Sequence, residues 1–185
     1  ALGCSVIYGA WAAPVWWKQM DEHFRSTAAS LPRGKELEDS VIILLNTRDY
    51  IATPFVALYR RLFETPGPVF MHVAGVSKHA VQVTRPDDDS LILAPEHGYL
   101  DESSSLLVRS RREPFTRGQQ ILLISAKVRV EDVTPDGRPA RVRIETFGLS
   151  NPKYLWMVWD DRTEGYVRFP LPERGQTVVL PAAPH

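Results

Sequence analysis

Residues Ser40 to Asn46 read SVIILLN, five apolar side chains in a row closed by an amide. A run this short, with β-branched residues and no polar alternation, predicts a strand with neither face toward water. The chain must therefore place structure on both sides of it. Thr53-Pro54 then opens a helix, threonine as N-cap and proline at the first helical position. Phe55, Leu58, Tyr59, Leu62 and Phe63 recur at helical spacing and predict one apolar face, with Arg60, Arg61 and Glu64 at its C-terminal end. Thr65-Pro66-Gly67-Pro68 stops that helix, and VFMHVAG follows as a second apolar strand. Ser40 to Gly75 thus reads as a strand-helix-strand unit with a right-handed parallel crossover.

Beyond Gly75 the period falls to two. Ala80 to Thr84 and Leu91 to Ala94 flank Arg85-Pro86-Asp87-Asp88-Asp89-Ser90 and predict a hairpin. Val128, Val130 and Val133 face Val142 and Ile144 across Pro135-Asp136-Gly137 in a second hairpin, whose arginines and glutamates predict one wet face. Tyr154 to Trp159, Tyr166 to Phe169 and Thr177 to Leu180 add short strands. The expected fold class is α+β: an N-terminal helical, membrane-proximal segment over residues 1–34, the strand-helix-strand unit over 35–79, and a small antiparallel β-barrel or sandwich over 80–185, the last two packed as one globular domain.

Ala1 to Trp17 contains no charged residue. At ~1.5 Å per residue, a helix of that length falls slightly short of the ~20 residues that span a hydrocarbon core. Trp11, Trp16 and Trp17 gather toward its polar end and Lys18 follows, the arrangement of a membrane interface. The segment is read as the stump or end of a membrane helix. From Lys18, the residues Met20, Phe24, Thr27 or Ala28, and Leu31 continue as an amphipathic connector helix as far as Pro32. Cys4 is the single cysteine, so no internal disulfide is expected.

A set of features, taken together, resembles a known group. These are the strand closed by Asn46, Tyr59-Arg60-Arg61-Leu62 on the helix, Val83-Thr84-Arg85 with Asp89-Ser90-Leu91, and Pro114-Phe115 with Gly118. Val133 with Asp136-Gly137-Arg138-Pro139, the tryptophans Trp156 and Trp159, and the Pro172-to-Gly175 turn complete it. The chain from Ser40 to Leu180 resembles the C-terminal soluble domain of uncharacterised bacterial polytopic membrane proteins. That resemblance carries no catalytic residue. It implies a domain that follows the last membrane helix and lies outside the cytoplasm, periplasmic or at the cell surface.

Twenty-two basic and twenty-two acidic residues cancel, so no nucleic-acid partner is expected, and any electrostatic recognition must be local. No nucleophile elbow, phosphate loop, dinucleotide fingerprint or zinc-protease pair occurs, and no cofactor is implied. Asn46, Arg48 and Asp49, at the end of the first strand, are the alternative catalytic candidates of a hydrolase-like site, since crossover units gather ligands there. Turn and helix-start hydrogen bonds are the simpler reading of them. His72 falls in an apolar strand and His79 and His97 in loops, without partners at metal-ligand spacing, so no metal site is expected. Asp87-Asp88-Asp89 lacks the spacing of a calcium loop and reads as a solvated hairpin tip. Arg109, Arg111, Arg112 and Arg117 form the concentrated basic stretch, a candidate patch for anionic headgroups or an acidic partner. Tyr154, Trp156 and Trp159 are read as core before a glycan- or lipid-binding groove. The leading expectation is a non-enzymatic extracytoplasmic domain at a membrane, an accessory or assembly surface whose partners are membrane lipid and integral membrane protein subunits.

Overall fold

A computed structural model of the chain describes residues 22, 24–25, 27–32, 34–47, 53, 56–63, 68, 70–101, 109–110 and 112–182. Its elements are helix α1 (Lys35–Glu38), strand β1 (Val41–Leu44), helix α2 (Val56–Phe63) and nine further strands. These are β2 (Phe70–Val73), β3 (Val81–Thr84), β4 (Ser90–Pro95), β5 (Gln120–Leu122), β6 (Lys127–Val133), β7 (Pro139–Glu145), β8 (Tyr154–Asp160), β9 (Gly165–Arg168) and β10 (Thr177–Leu180).

β1 is buried at every position, as its unbroken apolar run requires. It pairs in parallel with β2 on one side and with β8 on the other, Ile43 lying level with His72 and with Trp156. β8 turns back into β9, so this sheet runs β2-β1-β8-β9. The second sheet is antiparallel throughout, in the order β10-β3-β4-β7-β6-β5. Side-chain alternation along β1 and β8 then feeds two cores. Val41, Ile43, Tyr154 and Trp156 point into the space between the sheets, against Val83, Leu91, Leu93, Val142 and Ile144. Ile42, Leu44, Leu155, Met157 and Trp159 point the other way, onto Ala28, Leu31, Leu37 and Val56.

This architecture corrects the α+β expectation. Among the described residues the fold is mostly β, with two sheets, the short helices α1 and α2 of four and eight residues, further helical residues at 22, 24–25 and 27–30, and no closed barrel. β5 and β10 end the antiparallel sheet at opposite edges, and β8 and β9 leave it to complete the sheet begun by β1 and β2. Strands of the 80–185 stretch accordingly do not make a barrel or sandwich of their own, since β8 and β9 share a sheet with β1 and β2. The expected membrane-proximal N-terminal segment is corrected as well: its described residues 22, 24–25 and 27–30 are helical, and Ala28, with the adjacent Leu31 and part-buried Phe24, packs into the second core. Among the described residues no helix is long and apolar enough to cross a membrane, which overturns the transmembrane helix. Trp11, Trp16, Trp17, Lys18 and Cys4 lie outside the described residues.

Helix α2 turns a different face inward from the one its periodicity suggests. Leu58 and Leu62 are exposed, whereas Val56 and Arg60 are buried. Arg60 Nη1 donates to Ala28 O at 2.7 Å, so its guanidinium satisfies a carbonyl of the turn formed by residues 27–30. A charge held this way occupies the interior without exposing the aliphatic stem. Replacing Leu58 or Leu62 by Gln is expected to change stability by no more than about 0.5 kcal/mol. Val56→Ala should cost about 2 kcal/mol. Urea unfolding of the three variants checks which face is inward, and a large loss at Leu58 would reverse the assignment.

Candidate functional site

β5 is an edge strand, and its three residues are all exposed. It joins β6 through a tight turn in which Leu123 N donates to Ala126 O at 2.8 Å. The turn sends Ile124 outward and Ser125 inward. Exposure reaches 77% at Leu122, 77% at Ile124 and 81% at Phe147, the last on the loop that follows β7. These side chains line a single surface hollow with Leu123, Ala126, Lys127 and Glu145. Apolar groups this exposed and this close together mark an interaction surface more often than a random scatter does.

Hydrogen bonds from the other sheet hold this tip from behind. Tyr154 Oη on β8 donates to Ser125 O at 2.8 Å and accepts from Phe147 N at 3.4 Å, so one phenol aligns both projecting loops. His72 Nε2 on β2 lies 2.8 Å from Ser125 Oγ, and its ring stacks near-parallel to Phe70. Burial pushes the His72 imidazole below its ordinary value. His72, expected within an apolar strand, lies on β2 with its Nε2 paired to the Ser125 hydroxyl.

A charged face adjoins the tip. Glu145 pairs with Lys127 and, at 3.6 Å, with Arg129. Glu131 accepts from Arg143 Nε at 2.6 Å and from Arg141 Nε at 2.9 Å. Burial raises the Glu131 carboxyl, but the two arginine hydrogen bonds and charges outweigh it and leave the group below its usual range. Phe147 borders a hollow with Arg129 and Glu131, and both of those border the next one with Arg117. The apolar tip and Arg117 therefore belong to one continuous surface.

Three of the four arginines of the expected basic patch lie among the described residues. Arg109 is turned onto Phe115, its guanidinium carbon 4.1 Å from the ring centroid and its Nε donating to Glu113 O at 2.7 Å. Arg112 and Arg117 are exposed, with no carboxylate partner among the described residues, and Arg111 lies outside them. Asn46 is buried, with both amide atoms in use: Nδ2 donates to Pro181 O at 3.2 Å and Oδ1 accepts from Ser77 N at 3.0 Å. Arg48 and Asp49 lie outside the described residues. At the hairpin tip, Asp87 caps Asp89 N and the Ser90 hydroxyl, and Asp88 pairs with Arg85 at 2.9 Å. Tyr154, Trp156 and Trp159 are buried.

No protein family, curated protein or solved structure matches the chain. Residues and geometry alone therefore carry the functional argument. Sequence reading missed the tip because Ile121 to Ile124, four consecutive apolar residues, looks like core, and nothing local distinguishes this run from the one that forms β1. It also missed that His79, Glu96 and His97 converge across the β3–β4 hairpin.

The His72 contact makes stability depend on pH in a defined direction. With its folded-state pKa below the ordinary 6.5, the unfolded chain takes up the proton first as pH falls, so stability is full above 6.5 and declines below it. The melting temperature is expected to drop between about pH 7 and pH 5, and His72→Gln to flatten that slope. A variant slope equal to the parent's would remove His72 from the account.

Proposed function

We propose that this protein is a non-enzymatic domain resting on a lipid surface through Leu122, Ile124 and Phe147, an accessory or assembly surface for an integral membrane complex. The observation that carries the reading is the outward projection of these three side chains from loops that one buried phenol holds in register. A hydrophobic tip that must enter a bilayer interface gains from such rigidity, because little conformational freedom is left to lose on contact.

Magnitudes decide the kind of attachment. Removing three large apolar side chains from water contributes about 1.5 kcal/mol or more each, a total on the scale of one acyl chain, which binds membranes reversibly. Exposed Arg117, on the surface continuous with the tip, adds about 1 kcal/mol near anionic headgroups. Attachment of that strength suits a domain whose residence at the membrane is completed by a protein subunit, and the accessory role follows from it. Placement on the extracytoplasmic side is supported by the resemblance to domains of polytopic membrane proteins. The hydrolase-like alternative is weakened by the full use of the Asn46 amide in backbone contacts.

Sedimentation of the full chain with phosphatidylglycerol-containing vesicles tests the reading. Leu122→Glu, Ile124→Glu and Phe147→Glu together are expected to lower vesicle binding on the order of tenfold or more while leaving the fold intact, since all three residues are exposed. Tyr154→Phe should weaken binding with the apolar tip still present. Binding by the triple variant equal to the parent's would reject the tip as the contact.

A further inference from the structure

A second constellation lies on the β3–β4 hairpin and is independent of the apolar tip. The ladder pairs Val81 with Pro95, and Glu96 N extends it by donating to Ala80 O at 3.1 Å. Continued by one more pair, that register places His79 opposite His97. Their rings meet edge to face with centroids 4.3 Å apart. Glu96 adds a carboxylate, and one ligand atom from each of the three residues lies within 4.8 Å of the others. Asp101 Oδ2 stands 3.3 Å from His79 Nε2.

Both chain segments that carry these groups are pinned. The Ser77 hydroxyl donates to His79 O at 2.9 Å and accepts from His79 N at 3.1 Å, while Ser77 N is itself held by Asn46 Oδ1. On the other segment, Tyr99 N donates to Pro139 O at 2.8 Å, and the Tyr99 ring lies against Gly75, where a Cβ would sit 2.1 Å from a ring atom. Between His97 and Asp101 the backbone turns through two left-handed residues, Gly98 at φ +78° and Leu100 at φ +62°. Leucine seldom adopts that conformation. Here the turn returns Asp101 to the His79 ring.

Two imidazoles and a carboxylate at the surface contribute nothing to either core, yet their donors converge. We infer that His79, Glu96 and His97 bind a divalent transition-metal ion of the zinc class, with Asp101 orienting the His79 ring. Two nitrogen donors and one oxygen donor select zinc-like ions over calcium or magnesium, which prefer all-oxygen shells. Tetrahedral zinc at ~2.0–2.2 Å from each donor needs donors about 3.4 Å apart, so the set closes by roughly an ångström, within the side-chain freedom of the exposed Glu96 and His97. A carboxylate on the ring of a metal-binding histidine is the usual orienting partner. Three protein ligands leave a fourth position for water or a group from another molecule.

Titration of the full chain with Zn²⁺, followed by calorimetry and by the melting temperature, tests the site. One ion per chain is expected, with a raised melting temperature, and Co²⁺ is expected to give the visible absorption of a tetrahedral complex. His97→Ala and Glu96→Gln should each weaken Zn²⁺ at least tenfold, and Asp101→Asn on the order of tenfold. The metal-free melting temperature of His97→Ala, an exposed position, should equal the parent's and so separates lost ligation from lost folding. Zn²⁺ affinity undiminished in the His79→Ala/His97→Ala double variant, absence of one-to-one binding in the parent, or an equal melting shift with Mg²⁺ would overturn the inference.

Discussion

The parallel pairing of β1 with β8 is the contact on which the remainder of the fold depends. It joins residues more than a hundred positions apart and puts two apolar strands side by side in the middle of a sheet covered on both faces. Each strand divides its side chains between two cores, so one pairing commits the antiparallel sheet to one side and the helical turns to the other. A slip of one residue would exchange the two sets and put Trp156 where Leu155 sits. Register at this pairing is thereby specified from both directions at once.

Polar groups in and around this interior act as latches between elements that hydrophobic contact alone would leave free to slide. Asn46 ties the end of β1 to the Ser77 loop and to the chain after β10. Arg60 ties α2 to the turn at residues 27–30. Tyr154 and His72 tie the sheet of β1 to the β5–β6 turn of the opposing sheet. Each makes directional bonds in a place where an unmade one is costly. The same latches position both functional surfaces: Tyr154 lies beneath the apolar tip, and Asn46 reaches His79 through Ser77. The membrane-facing proposal and the metal proposal therefore use different surfaces, each supported by a latch on the central sheet.

Much of the local structure was legible in sequence. The unbroken run from Val41 to Leu45 announced a strand buried on both faces, and Pro135-Asp136-Gly137 and the Asp87-to-Asp89 tip announced two hairpins, because apolar spacing and turn chemistry act over a few residues. Helix α2 shows where such reading fails. Leu58, Tyr59 and Leu62 have helical spacing, yet the inward face carries Arg60, because the carbonyl of Ala28 waits there and nothing local to the helix reveals it. His79 and His97 show no ligand spacing along the chain, yet a hairpin brings together residues placed equally far from its turn.

Sequence by itself therefore determined most of the strands, β5 excepted, where two hairpins turn, and that some other structure must cover both faces of β1. Only the tertiary structure decided which strands share a sheet, that the antiparallel sheet stays open between β5 and β10, and which apolar residues remain outside the core. The physical reason is range. Propensity, periodicity and turn geometry are properties of neighbouring residues, whereas the β1–β8 pairing, the Tyr154 latch and the convergence of His79 with Glu96 and His97 depend on close packing between segments far apart in the chain.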